Sequence, residues 1–169
     1  TDVVREIFGE ASGSEAAKQV ADAVSEALAV SRTDFNAAGG NLPKLDRYDL
    51  PHSWDAALIK KAKYKGWYKE IEPRLDWDRI IDRDTSQPFS ASTQAARDRF
   101  LEDVYQGITS NGWSRREPAG VQLGRAVANR RADHRVLHFK GADDWMAVNG
   151  RFGRSAPFSA IVAHLKSMA

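Results

Sequence analysis

Residues 134–155, HRVLHFKGADDWMAVNGRFGRS, decide how this chain folds. The stretch gathers Phe139, Trp145 and Phe152, with Phe158 just beyond it, among cations, two adjacent aspartates and three glycines. Arg135–Phe139 (RVLHF) alternates in a way that permits one short extended segment. Ala142 or Asp143 then opens a helix to about Asn149, and Gly150 and Gly153 interrupt it. Pro157 begins a last helix, with Phe158, Ile161, Val162 and Leu165 apolar. Phe139, Trp145, Phe152 and Phe158 can therefore unite an extended arm and two helices in one core, and they are expected to act as a structural anchor.

Working outward, residues 14–35 give the clearest helix. Ser14 predicts the N-cap, Glu15 suits the positive helix end, and Ala17, Val20, Ala21, Val24, Leu28 and Phe35 share a face. The stripe is mostly small, so a partner helix is expected to approach closely. Before it, Val3, Val4, Ile7 and Phe8 read as the tail of a helix already under way. Gly39 and Gly40 end the long helix, and LPKLDRYDLP at 42–51 reads as an ordered connector.

Ser53 predicts the cap of a helix over 54–65 with Trp54, Ala57, Leu58 and Ala62 inward. Lys60, Lys61, Lys63 and Lys65 read chiefly as a solvated face, with phosphate contact as the alternative. Gly66 should break this helix, and Pro73 should divide or kink the next segment, where Trp67, Ile71, Leu75, Ile80 and Ile81 are candidate core. Ser90 or Ser92 predicts the cap of a helix to about Thr109 with Ala95, Phe100, Leu101, Val104 and Ile108 inward. Asn111-Gly112 closes it, 113–124 reads as loop, and 124–133 suits a short helix. The fold expected is all-α: one irregular domain of about six to eight helices with long ordered loops, its sub-lobes dividing at 41/42.

Composition narrows the setting. The 169 residues are 42% hydrophobic and 28% charged with a net charge of +2, which suits a folded domain without a global polyanion-seeking field. Cysteine is absent, so thiolate metal sites, disulfides and a cysteine nucleophile are excluded. No apolar run approaches the roughly 20 residues of a membrane-spanning helix. Local charge is uneven: residues 1–34 hold seven acids against three bases. Between 115 and 140 stand Arg115, Arg116, Arg125, Arg130, Arg131, Arg135 and Lys140 against Glu117 and Asp133 alone. This basic segment is the candidate contact surface for a protein partner or for nucleic acid.

Chemistry is thinly motivated. His134 and His138 have helical spacing, but Arg135 stands where a zinc-binding HExxH motif needs glutamate. Asp82 with Asp84, or Asp143 with Asp144, suits a metal-dependent nuclease, yet each pair also falls where turns and helix starts favour aspartate. No serine lies in a GxSxG elbow and no glycine-rich phosphate loop is present. No catalytic, metal or cofactor residues are assigned, and no small-molecule substrate is implied.

Three runs carry a resemblance: GWSRREPAG at 112–120, GRAVANRRADHRVLHFKGADDWMAVNGRFGRSAPFSAIVAHLKSMA at 124–169, and FNAAGGNLPKLDRYDLPHSWDAALIKKA at 35–62. Together they resemble a helical domain that recurs in very long polyvalent, internal virion (ejection) proteins of tailed bacteriophages and prophages. The resemblance implies a segment of a longer polypeptide, located in the virion and then in the host cell after delivery. It implies a non-enzymatic role in structure and genome delivery, with sister copies, the portal or other internal proteins as partners. The alternatives are a DNA-binding module using 115–140 and the metal-dependent nuclease.

Overall fold

The computed structural model describes residues 1–39, 50, 52–82, 85–110, 137–154, 156 and 159. Within them the chain is all-α. It runs through α1 (Asp2–Ile7), α2 (Glu15–Ala37), α3 (Ala56–Ile71), α4 (Gln94–Thr109) and α5 (Ala142–Phe152), with 3-10 turns at Glu72–Arg74 and Phe89–Ala91. Three isolated β-bridges join loop segments, and no longer strand forms among the described residues.

The N-terminal pair follows its local chemistry. The Ser14 hydroxyl accepts from the Ala17 amide at 3.2 Å and caps α2, as the sequence predicts. Just before it, Gly13 takes φ 78, a left-handed turn that favours glycine. Ala17, Ala21, Val24 and Leu28, spaced four, three and four, are the buried face of α2, which packs on α1. Val20 departs from the expected face, being 41% exposed, because it lies a residue off that stripe.

On α3 the expected inward face is displaced. Ala57 and Leu58 are exposed, whereas Ile59, Trp67 and Ile71 are fully buried. The reason is the start of the helix: Asp55, not Ser53, is the cap, accepting from the Ala57 and Leu58 amides at 2.9 and 3.1 Å. Trp54 consequently lies outside the helix, in a bridge to Gly153. Gly66 does not break α3. Non-helical backbone falls instead at Lys63, with φ 59 and ψ 167. A regular helix burying both Ile59 and Trp67 would aim the residue midway between them, Lys63, at the core; the kink leaves Lys63 exposed.

Pro73 lies in the 3-10 turn that follows α3, and no second α-helix forms between it and Asp82. Ile80 is buried but Ile81 is 47% exposed, since the bridge between Ile81 and Pro88 sends successive side chains to opposite faces. Thr93, rather than Ser90 or Ser92, caps α4, because those serines are taken into and just after the 3-10 turn at Phe89–Ala91. Leu101, Val104 and Ile108 face inward as expected, while Ala95 is exposed. Arg97 ties this region together: its guanidinium donates to the carbonyls of Phe89 and Ser90 at 2.8 and 2.7 Å and stacks over Trp77.

The 137–154 segment closes the structure. Phe139, Trp145 and Phe152 are 0%, 0% and 2% exposed and share one core with residues of all five helices. Burying each of these rings stabilises the fold by roughly 2–3 kcal/mol. Backbone bonds stitch the segment in place: Asp76 N–H donates to His138 at 2.8 Å, Lys140 N–H to Arg74 at 3.0 Å, and Asp55 N–H to Phe152 at 2.8 Å. Gly153 is required by close approach, since a Cβ there would collide with the Asn149 carbonyl oxygen. Phe158, the fourth anchor residue, the predicted C-terminal helix and the helix over 124–133 lie outside the described residues.

Candidate functional site

Arg115, Arg116, Arg125, Arg130, Arg131, Arg135, His134 and Asp84 also lie outside the described residues. Lys140 is exposed, and its ammonium donates to the Pro73 carbonyl at 2.8 Å. The aspartate candidates that are described have structural partners. Asp143 and Asp144 occupy the first turn of α5; Asp143 pairs with Arg5 at 2.9 Å and Asp144 with Arg74 at 3.7 Å. Asp82 accepts from the Thr85 hydroxyl at 3.1 Å inside the turn to Pro88. Among the described residues no group of three or more His, Cys, Asp or Glu side chains is placed to hold a metal ion. Nor is any helix there long and apolar enough to cross a membrane.

His52 and His138 differ in setting. The His52 ring stacks on Trp54 with centroids 4.6 Å apart, and Phe139 and Trp145 lie at 4.9 and 4.8 Å. It is part of the aromatic packing beneath the anchor. The His138 carbonyl accepts from the Asp76 amide beside the bridge between Leu75 and Phe139.

The structure brings together a site that no single stretch of the chain announces. Between α3 and α4 lies an open cleft of about 560 Å³ lined by Tyr64, Lys65 and Tyr68 from α3 and Ala95, Asp98, Arg99 and Glu102 from α4. The two tyrosines are one helical turn apart, with ring centroids at 5.7 Å, and Tyr105 braces Tyr64 edge-on at 5.4 Å. Asp98 organises the polar side. Its Oδ1 accepts from the Tyr68 hydroxyl at 2.6 Å and from the Gln94 amide at 2.9 Å, and its carbonyl accepts from the Tyr64 hydroxyl at 3.1 Å.

These bonds fix the protonation states. Burial, then the Asp98 charge, pushes the Tyr64 hydroxyl up to about 12, and burial with the hydrogen bond to Asp98 does the same for Tyr68. Both remain neutral donors at physiological pH. The hydrogen bonds from Tyr68 and Gln94 hold the Asp98 carboxyl below its ordinary value, so it stays ionised. Tyr68, Gln94 and Asp98 thus form one hydrogen-bonded cluster on the polar side of the cleft. The signal for it existed in the sequence as two i, i+4 patterns, Tyr64/Tyr68 and Gln94/Asp98/Glu102, but nothing in either pattern indicates that the two faces meet.

No family model, curated protein or solved structure matches the chain.

Proposed function

We propose that the chain is a non-enzymatic structural and delivery module of a tailed-phage internal virion protein, packaged in the particle and delivered to the host cell with the genome. It acts by packing against sister copies, the portal or neighbouring internal proteins, with the basic segment 115–140 as its contact surface. The reading rests on the resemblance of residues 112–120, 124–169 and 35–62. One structural observation supports it: Phe139, Trp145, Phe152 and Gly153, which lie in the run at 124–169, are spent on core packing and close backbone approach. Residues so used maintain a scaffold, and a scaffold can recur unchanged in chains of varied activity.

The test is mass spectrometry of purified particles from the phage or prophage that encodes the chain, with chemical cross-linking before digestion. The expected result is peptides from 1–169 in the particle, belonging to a longer polypeptide and cross-linked to portal or internal proteins. Peptides found only outside particles would overturn the proposal.

A further inference from the structure

We propose that the exposed face of α3 and the Tyr64–Tyr68 cleft bind single-stranded nucleic acid, with phosphates on the lysines and one base in the cleft. This inference does not depend on the virion reading.

Charge comes first. Helix α3 carries Lys60, Lys61, Lys63, Lys65 and Lys69, all exposed, against one acid, Glu70. That acid is committed elsewhere, pairing with Arg151 at 2.7 Å and Arg74 at 3.5 Å. The lysine charge on α3 is thus left without an acidic partner on its own helix. Lysines alone describe a solvated face, but Lys65 also lines the cleft and Lys69 lies one turn beyond it.

The cleft lining selects the ligand. It offers two cations, Lys65 and Arg99, and two carboxylates, Asp98 and Glu102, around two tyrosine rings. A simple acid or a simple amine meets like charge there whichever way it enters. A nucleotide unit is anionic at its phosphate and presents N–H donors on its base edge, so each end meets its complement. Tyr64 and Tyr68 line the cleft with aromatic rings, the kind of surface on which bases stack in single-strand sites. The Asp98 bonds to Tyr68 and Gln94 use Oδ1, which leaves Oδ2 and the exposed Glu102 to accept from an exocyclic amino group. A duplex is disfavoured because its bases are paired and stacked away from such a cleft. The run of lysines along α3 extends past one phosphate, which favours a strand over a free nucleotide.

The experiment is fluorescence anisotropy of the 169-residue chain with labelled oligo-dC, oligo-dT and a duplex over a salt series, with free CMP as competitor. The expected affinity for oligo-dC is on the order of 10 µM at low salt. Lys65→Glu/Lys69→Glu should weaken it about tenfold and flatten the log–log salt slope by about 1.4, or about 0.7 for each lost phosphate contact. Oligo-dC should bind several-fold more tightly than oligo-dT, which lacks the amino group, and Glu102→Ala should abolish that preference. Circular dichroism melts of each variant separate folding from binding. Absence of salt-sensitive binding overturns the proposal, as does equal affinity for duplex or competition by CMP at the oligonucleotide's own concentration. Binding that survives the lysine substitutions and disappears in Arg130→Ala/Arg131→Ala overturns it as well, by placing the contact in the arginine-rich segment.

Discussion

The indole N–H of Trp145 donates a buried 3.1 Å hydrogen bond to the carbonyl oxygen of Leu50, a residue 95 positions earlier. Trp145 is wholly buried, so this bond satisfies two polar groups that water cannot reach. Trp145→Phe keeps an aromatic ring but strands the Leu50 carbonyl and leaves a small void. The expected loss is roughly 2 kcal/mol, read as a fall of roughly 6 °C in Tm by calorimetry. An unchanged Tm would mean that neither the bond nor the packing matters.

The backbone at Lys63 makes the second prediction. With φ 59 and ψ 167 it occupies a region open almost only to glycine, at a cost of about 1–3 kcal/mol. Lys63→Gly relieves that strain while removing no contact of an exposed side chain. Stability is expected to rise by about 1 kcal/mol in urea denaturation, after allowance for the added freedom of the unfolded chain. A loss of stability would show that a helical backbone is preferred at this position.

The N-terminus of α5 takes its cap from another part of the chain. Gly141 has no side chain to offer, and the Glu10 carboxylate, in the turn between α1 and α2, accepts from the Ala142 amide at 2.8 Å. Glu10→Ala should cost about 1 kcal/mol, and Glu10→Gln, which retains an acceptor but not the charge, about half of that. Amide hydrogen exchange at Ala142 is the direct readout. Protection unaltered by both substitutions would argue against the cap.

These contacts explain how far the sequence is legible. Ser14 and the Ala17, Ala21, Val24, Leu28 stripe are local in their physics, so both the long helix and its cap can be read directly. The start of α5 is legible too, marked by Gly141 and the aspartates, but its end is not: Gly150, read as an interruption after Asn149, lies inside the helix, which runs on to Phe152 and stops at Gly153. Phase on α3 is not legible, because Trp54 has helical spacing yet forms a bridge and because Lys63 shifts the helix register. Nor does any spacing signal that Glu10 caps α5 or that Leu50 receives the indole of Trp145. The cleft is illegible for the same reason: Tyr68 and Asp98 are 30 residues apart, and only the packing of α3 on α4 makes them partners.

That partnership gives a pH prediction. Tyr64 and Tyr68 are both pushed up to about 12 from an ordinary value of 10, so the folded state holds their protons more tightly than the unfolded state does. Their contribution to stability is complete below pH 10 and is lost as pH rises from about 10 to about 12. Absorbance titration near 295 nm should resolve two late-ionising tyrosines, and Tyr68→Phe should remove one of them. Asp98→Asn has a further effect, since it abolishes the negative charge that opposes phenolate formation; the shift that persists at Tyr64 then measures chiefly burial. At the acid end the sign reverses: the Asp98 carboxyl is held below 3.8 by Tyr68 and Gln94, so its stabilisation is present above that pH and fades below it. In Tyr68→Phe the acid-side loss should become shallower, because the strongest bond favouring the carboxylate is gone. If the alkaline and acid limbs fail to change together in that variant, Tyr68 and Asp98 are not joined in solution.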